Sequence, residues 1–479
     1  MRVSKSSIQE TSLAAETQKG GRFGIIICQI LGLAAFVLVV YTVLGGRKFP
    51  MLCALAIFPV IFMITKPSLI PYIFIASFFT GFRFYTHGYM FTVIIPDVMV
   101  LVLIFAFISH SKIDFKTVFN EQRHLFTVLM LFILWTITGY LVNFYFREMF
   151  VNFVSASYIY KISQLAVIVV LFSQPQWKPH REKVLFFYVI CVCFEIIAAI
   201  GLEILGGARS LSGFQRMVGT LGDHHGALSN VLILSFGVCS GAYFILNERF
   251  KRVFAACVGV ACLGTMFLSG SRGSMMGLLL SMPAAALLGF RLKRNTLILI
   301  IIASVIAFII FWLSPLKEAV VNIVNVQTGD QATMSAYGRF VIWERVYQHA
   351  LYGPWLQKIF GLGIGTFNTL HFGYFVEIGT FAPAAHNNIM HTFVETGIVG
   401  MILWLCIFTV IVYRLAVRSK RGDNAARCFL VATLALLFSC MTQETFWIIP
   451  SFGRFWLMYM FFYMMMFNFR EEKVSLCRE

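Results

Sequence analysis

The chain has 479 residues, of which 59% are hydrophobic and 12% are charged, and its mean hydropathy is positive at +0.82. A soluble protein of this length needs far more polar surface, so the composition excludes a soluble globular protein and indicates a polytopic membrane protein. The formal net charge is +17. In a membrane protein such a charge is expected from cytoplasmic loops rich in Lys and Arg, and it does not require a nucleic-acid partner.

Apolar segments of about bilayer length follow one another along the chain. They lie at about 24–44, 49–65, 68–84, 90–109, 124–145, 153–173, 183–205, 227–246, 253–269, 274–290, 296–314, 390–413, 427–446 and 449–469. Several are short for a complete crossing, so the sequence predicts an all-α bundle of about 12–14 transmembrane helices. The cysteines lie mostly inside these segments without zinc-ligand spacing, so neither a metal site nor structural disulfides are expected.

The longest interruption between apolar segments defines the organisation of the chain. We predict a cytoplasmic tail at 1–23, transmembrane helices at 24–314, a large periplasmic loop at 315–388, further transmembrane helices at 389–469 and a cytoplasmic tail at 470–479. With the N-terminus inside, the inner segments hold more than twice as many Lys and Arg as the outer ones. This asymmetry predicts that both termini are cytoplasmic, and it explains the basic charge without nucleic acid.

The first outer loop with candidate functional residues spans about 206–226. Arg216 lies in it, and an arginine in a loop is by itself usually only solvated. Asp223, His224 and His225 follow. Adjacent histidines rarely point at one ion without a rigid frame, so we expect no metal here and keep His224 as a candidate substrate contact.

A tight outer turn is predicted between the segments that end and begin near 269 and 274. Arg272 lies in this turn among small residues, with Ser271 and Ser274 beside it. A guanidinium with hydroxyl and backbone donors around it suits bidentate recognition of a phosphate. The alternative is an arginine that extends to the lipid headgroups.

The large loop contains one segment with helical periodicity, Tyr337–Leu351. Arg339 and Trp343 are four residues apart and therefore share a face of the predicted helix. Pro354 is expected to end this helix. The glycine-rich stretch 361–365 follows, and its glycines permit tight turns and close backbone approach.

A histidine lies at the end of the large loop. His386 is followed by Asn387 and, inside the next apolar segment, by Glu395. A histidine at a boundary between water and membrane can accept a proton from a sugar hydroxyl. The alternative is a histidine at a helix start that is held by hydrogen bonds within its own loop.

Ionisable residues also lie deep inside three of the earlier apolar segments. These residues are Asp97, Lys161 and Glu195. Buried membrane charges usually pair or line a polar cavity. We predict that Asp97 pairs with Lys161, and a purely structural ion pair is the favoured interpretation.

Four stretches together resemble the O-antigen ligase and O-antigen polymerase superfamily of bacterial inner-membrane glycosyltransferases. They are the Arg216 loop, the turn around Arg272, the segment from Arg339 through 361–367, and the segment from His386 to Gly400. Their order along the chain, with a large outer loop before the His-Asn pair, carries the resemblance. One departure is Gly-Asp-His-His-Gly at 222–226, where relatives often have a Pro-Asn turn.

The resemblance implies a GT-C-like helical bundle and an inverting, metal-independent transfer without a cofactor. A glycan would pass from undecaprenyl diphosphate to a hydroxyl of lipid A-core or another glycan, on the periplasmic face of the inner membrane. Family ligases depend on two arginines and a histidine at the outer face, and Arg216, Arg272 and His386 match these positions. Arg339 matches a recurrent loop arginine. Substrate contacts are expected from Arg339, Trp343, Asn387, Ser271, Ser274, His224 and Glu395.

Two other functions remain open from the sequence. A repeat-unit polymerase uses the same donor chemistry with a different acceptor, and we favour the ligase because the two arginines and the histidine match that branch. A transporter or flippase for an anionic or lipid-linked solute is the alternative from another class. The candidate residues lie at outer turns instead of at broken helices in mid-membrane, which disfavours a transporter.

Overall fold

A computed structural model describes most helical parts of the chain. The described residues are 66–79, 83–86, 91–94, 99–100, 103–104, 114–146, 149–205, 225–269, 271–289, 302, 331–369, 374–375, 380–381, 385–442, 445–446 and 453–467. Arg216, His224 and Asp97 lie outside these residues. The pairing predicted between Asp97 and Lys161 therefore stays a prediction.

The N-terminal part of the described chain begins with a short helix and a hairpin. Helix α1 spans Ile70–Phe78, and strands β1, Arg83–Thr86, and β2, Phe91–Ile94, pair antiparallel. The transmembrane segments predicted at 68–84 and 90–109 are therefore wrong where the strands lie. The strands are rich in Phe, Tyr, Thr, Val and Ile, which raise apolarity and favour extended backbone at the same time. Hydropathy alone cannot separate these two effects.

Long helices follow, and their bounds agree with the predicted apolar segments to within a few residues, except that α2 begins well before the segment predicted at 124–145. They are α2, Phe115–Asn143; α3, Met149–Phe172; α4, Arg181–Ile204; α5, His225–Ile245; α6, Arg249–Leu268; and α7, Arg272–Gly289. Helix α2 begins because the Asp114 side chain accepts a hydrogen bond from the Lys116 amide at 2.9 Å. Short 3-10 turns at Phe144–Phe146 and Pro175–His180 join α2 to α3 and α3 to α4.

The described residues from Gln331 onward form the elements of the large loop and the last helices. In order they are α8, Gln331–Tyr352; α9, Trp355–Phe360; α10, Thr366–Thr369; β3, Tyr374–Phe375; β4, Thr380–Phe381; α11, Asn388–Lys420; α12, Asn424–Ser439; and α13, Gly453–Phe467. Strands β3 and β4 form a two-residue antiparallel pair.

Helices α2, α4, α5, α6 and α11, together with Val154–Phe172 of α3, are long and apolar enough to cross a membrane. Helices α7, α12 and α13 are apolar but shorter. The predicted class, an all-α polytopic membrane protein, is confirmed. Lys161 in α3 and Glu195 in α4 are both buried in the bundle, as expected for charges in membrane-spanning helices.

Small residues let the central helices approach closely. A Cβ on Gly277 of α7 would lie 3.1 Å from the Ser439 amide of α12, and a Cβ on Gly241 of α5 would lie 3.5 Å from the Ala425 carbonyl. Association of helices in a membrane depends on packing and not on the hydrophobic effect, so such close contacts hold the bundle together. Helices α5, α7 and α12 therefore form a closely packed centre, onto which α11 packs.

Candidate functional site

Several helix ends meet at one end of the bundle, which we call the His386 end. The Ser229 and Ser269 hydroxyls, at the start of α5 and the end of α6, are 2.7 Å apart. Ser439, at the end of α12, donates to Asn230 at 3.5 Å. The Asn388 amide, at the start of α11, donates to the Cys440 carbonyl at 2.9 Å. These bonds place the start of α7, where Arg272 lies, and the start of α11, next to His386, at the same end of the bundle.

The turn predicted around Arg272 is present. Helix α6 ends at Leu268 and α7 begins at Arg272. Ser271 and Ser274 are buried, and the Ser271 hydroxyl donates to the Ser274 hydroxyl at 3.0 Å. The Ser271 carbonyl accepts the Met275 amide at 3.1 Å, so the helix starts directly at this turn. The turn therefore fixes the backbone of Arg272 at the positive end of an 18-residue helix.

His386 has a backbone conformation that side chains rarely adopt. Its φ is 51°, and it is the one non-glycine residue with positive φ in the described part of the chain. Such strain is kept only where neighbouring contacts determine the conformation. On one side, the carbonyl of buried Ala385 accepts the Trp343 indole N–H at 2.9 Å. On the other side, Asn387 begins α11.

Asn387 acts as the N-cap of α11. Its Oδ1 accepts from the amides of Ile389 and Met390 at 3.0 and 3.2 Å, and its Nδ2 donates to the Met441 carbonyl at 3.2 Å. Asn387 is predicted from the sequence to contact substrate, and the structure shows that its side chain is hydrogen-bonded within the protein. It thereby holds the residue before it in place.

Helix α8 confirms the helix predicted in the large loop and is longer than expected. Trp343 packs beside a small second core made of Ile342, Val346, Phe367, Ala385 and Val394. Arg339, one turn earlier on the same face, is partly buried. Helix α8 therefore packs against the residues next to His386 through Trp343. Arg339 lies on the same face of α8 as Trp343.

The glycine-rich stretch binds the backbone of α11 where that helix is broken. Gly397 has φ 69° and ψ −175°, which is not helical. The carbonyls just before this break accept from outside the helix: Val394 from the Leu362 amide and Glu395 from the Gly363 amide, both at 2.8 Å. The Thr396 carbonyl accepts the Trp135 indole N–H at 2.9 Å. The three carbonyls just before the break are therefore hydrogen-bonded to residues outside the helix, as burial favours.

A buried histidine and glutamate lie beneath this junction. His391 Nε2 is 3.4 Å from Glu395 Oε1, and both side chains are at most 3% exposed. The same Oε1 accepts the Phe367 amide at 3.0 Å, and His391 Nδ1 accepts the Ala385 amide at 3.4 Å. Glu395 is predicted from the sequence to contact substrate. The structure places it inside the protein, where it joins α10, α11 and the segment before His386.

Some of these contacts could have been predicted from the sequence, and others could not. His391 and Glu395 are four residues apart, the spacing at which helix side chains meet, so this pair had a local signal. The stacking of Trp135 on Phe360, with ring centroids 4.8 Å apart, joins residues distant in sequence and had none. Within the described residues, no group of three or more His, Cys, Asp or Glu is placed to hold a metal ion.

Comparison with known proteins agrees with this class of membrane protein. A family model described as O-Antigen ligase matches residues 257–405. The matched segment contains Arg272, Arg339, His386, Glu395 and the glycine-rich stretch. The match covers less than half of the chain, and it bears out the resemblance to O-antigen ligases and polymerases that the sequence predicts. No curated protein matches the chain.

Proposed function

We propose that the protein transfers a glycan from a polyprenyl diphosphate carrier to an acceptor hydroxyl, as an O-antigen ligase does. The observation that carries the proposal is the meeting of the Arg272 turn and the His386 segment at one end of the bundle. The family match to residues 257–405 supports it.

In this mechanism Arg272 and Arg216 bind the diphosphate of undecaprenyl diphosphate. Their guanidinium groups neutralise the charge that grows on the diphosphate as the bond between the anomeric carbon and its oxygen breaks. The start of α7 adds the positive end of its helix dipole. With this charge supplied by the protein, the transfer needs no metal ion.

His386 is the proposed base. The acceptor hydroxyl attacks the anomeric carbon from the face opposite the diphosphate, and His386 takes its proton, which gives inversion. The strained backbone of His386 is held by the Trp343 contact on one side and the Asn387 cap on the other. A base held in this way loses little entropy in reaching the substrate. Arg339 and Trp343 cover the sugars, and the buried Ser271, Ser274 and Glu395 support the binding residues.

The orientation follows from the distribution of basic residues. The far end of α11 and the turn after it carry Arg414, Arg418, Lys420 and Arg421. The positive-inside rule places this end in the cytoplasm, and the His386 end then faces the periplasm of an inner membrane. Both termini are cytoplasmic in this arrangement.

The test is transfer by the purified protein, with lipid-linked glycan and lipid A-core in detergent containing a chelator. We expect Arg272→Ala and His386→Ala to abolish product formation. The matched control is Arg249→Ala, because Arg249 is exposed and begins α6 in the way that Arg272 begins α7. Wild-type turnover by Arg272→Ala, or complete loss in the Arg249 control, would contradict the proposal.

The acceptor separates the ligase from the polymerase. A ligase consumes lipid A-core, whereas a polymerase consumes a second lipid-linked repeat and gives products that differ by one repeat. Movement of the lipid-linked glycan across vesicles without any new glycosidic bond would instead favour the transporter.

A further inference from the structure

A polar recess lies at the end of the bundle opposite His386. It has a volume of about 550 Å³, and its lining includes Glu121, Gln122, Tyr413, Arg414, Arg418 and Phe467. These residues come from α2, α11 and α13. Along α11, Arg414 is roughly 40 Å from Asn388 at 1.5 Å per residue, so the recess is separate from the proposed active site.

An irregularity in α2 shapes the recess. Gln122 has φ −122° and ψ 16°, so the helix is broken there. Its buried side chain accepts a hydrogen bond from Arg414 Nη1. The break and this bond place the Arg414 guanidinium between α2 and α11.

The two arginines of the recess differ in how their charge is balanced. Arg418 pairs with Asp423 at 2.9 Å, donates to the Phe467 carbonyl at 2.7 Å and lies over the Phe467 ring. Arg414 is only partly exposed, and within the described residues it forms no salt bridge, since Glu121 on the same lining is not within pairing distance. The recess therefore presents a positive charge whose hydrogen-bond partners, the Gln122 amide and the Tyr463 hydroxyl, are both neutral.

An apolar groove adjoins the recess. It has a volume of about 570 Å³, runs along α11 and α12, and includes Trp404, Phe408, Val412, Leu434 and Leu437 in its lining. Tyr413 and Val417 line both the recess and the groove. A single amphiphile can therefore occupy both, with its charged group beside Arg414 and its chain along the groove.

We propose that the recess and the groove together bind an anionic phospholipid, with its phosphate at Arg414 and an acyl chain in the groove. Guanidinium groups bind phosphate through charge-assisted hydrogen bonds, and basic pockets between transmembrane helices suit anionic headgroups. Free phosphate carries the same charged group, but it has no acyl chain to bind in the groove.

The test uses the purified full-length protein, incubated with phosphatidylglycerol or phosphatidylcholine and examined by native mass spectrometry. We expect wild type to retain phosphatidylglycerol preferentially. Arg414→Gln removes the charge, and Gln122→Glu neutralises Arg414 while keeping its hydrogen-bond partner. Each should lower phosphatidylglycerol retention about fivefold, as expected for one basic residue at a lipid surface.

The control is Arg421→Gln, because Arg421 is an exposed arginine at the same end that does not line the recess. It should retain phosphatidylglycerol as wild type does. Equal loss in this control, equal retention of the two lipids, or displacement of the lipid by millimolar inorganic phosphate would overturn the proposal. If Arg414→Gln fails to fold, unchanged retention by Gln122→Glu would overturn it as well.

Discussion

Gly361 and Gly397 meet so closely that neither position accepts a side chain. A Cβ on Gly397 would lie 2.7 Å from the Gly361 amide nitrogen, and a Cβ on Gly361 would lie 2.5 Å from the Thr396 amide nitrogen. Both glycines have positive φ, 74° and 69° respectively. This contact is the point at which the large loop joins the broken helix α11.

The glycine contact predicts that Gly397→Ala destabilises the protein strongly. The positive φ alone costs about 1–3 kcal/mol, and overlap with the Ile359 carbonyl adds to it. Gly422→Ala is the matched control, because Gly422 has φ 98° but open space around it. Melting temperatures in detergent should fall further for Gly397→Ala than for Gly422→Ala, and equal falls would show that the close contact is unimportant.

Glu395 is expected to order the loop through its carboxylate. Glu395→Ala leaves the Phe367 amide and His391 without this acceptor, which costs about 1–3 kcal/mol for each buried group left unsatisfied. Glu395→Gln keeps an oxygen acceptor at the same position. Hydrogen exchange at Phe367 should become fast in Glu395→Ala and stay slow in Glu395→Gln. Slow exchange in both variants would refute this role.

The Trp343 indole is expected to matter for turnover more than for folding. Trp343→Phe keeps an aromatic ring but loses the bond to the Ala385 carbonyl, worth about 1 kcal/mol, next to strained His386. We predict a lower kcat with a nearly unchanged melting temperature. Trp404→Phe is the control, because the buried Trp404 indole nitrogen has no hydrogen-bond partner among the residues that the structure describes. Full activity is expected of this variant.

The pH dependence of the loop should follow His349 in α8. Burial is the main cause that lowers the pKa of His349, and the charge of nearby Lys358 adds to it. The unfolded chain then binds a proton more readily than the folded one, so the stability from this group is complete above the usual histidine pKa and is lost as the pH falls below it. The protection of α8 amides from hydrogen exchange, corrected for the pH dependence of intrinsic exchange, should fall between about pH 7 and pH 5. His349→Gln should flatten this dependence, and an unchanged profile would exclude His349 as its source.

Local chemistry made parts of this structure predictable. Pro354 ends the loop helix as expected, because proline cannot continue a helix hydrogen-bond ladder. The glycines at 361, 363 and 365 do have positive φ. Hydropathy found the long helices but was wrong for β1 and β2, since aromatic and β-branched residues satisfy a hydropathy window in either conformation.

Contacts between distant residues were beyond the sequence. Glu395 follows the His-Asn pair in the sequence, which suggested a substrate contact. Only the fold shows that its carboxylate accepts a hydrogen bond from the Phe367 amide, 28 positions away. Asn387 is likewise a residue type that suits both a helix N-cap and a ligand contact. The structure shows that it forms the cap. Arg414 and Gln122 are 292 positions apart, so no pattern along the chain joined them.

The break at Gly397 divides α11 into two parts that contact different neighbours. Its first turns, from Asn388 to Thr396, are tied to the glycine-rich stretch and to Trp135, while the remaining turns are embedded among the other membrane helices. Because the Asn387 side chain and the Asn388 amide are also bonded to the Met441 and Cys440 carbonyls, these first turns join the large loop to the end of α12. A shift of the large loop would therefore be transmitted to the end of α12 as well as to His386.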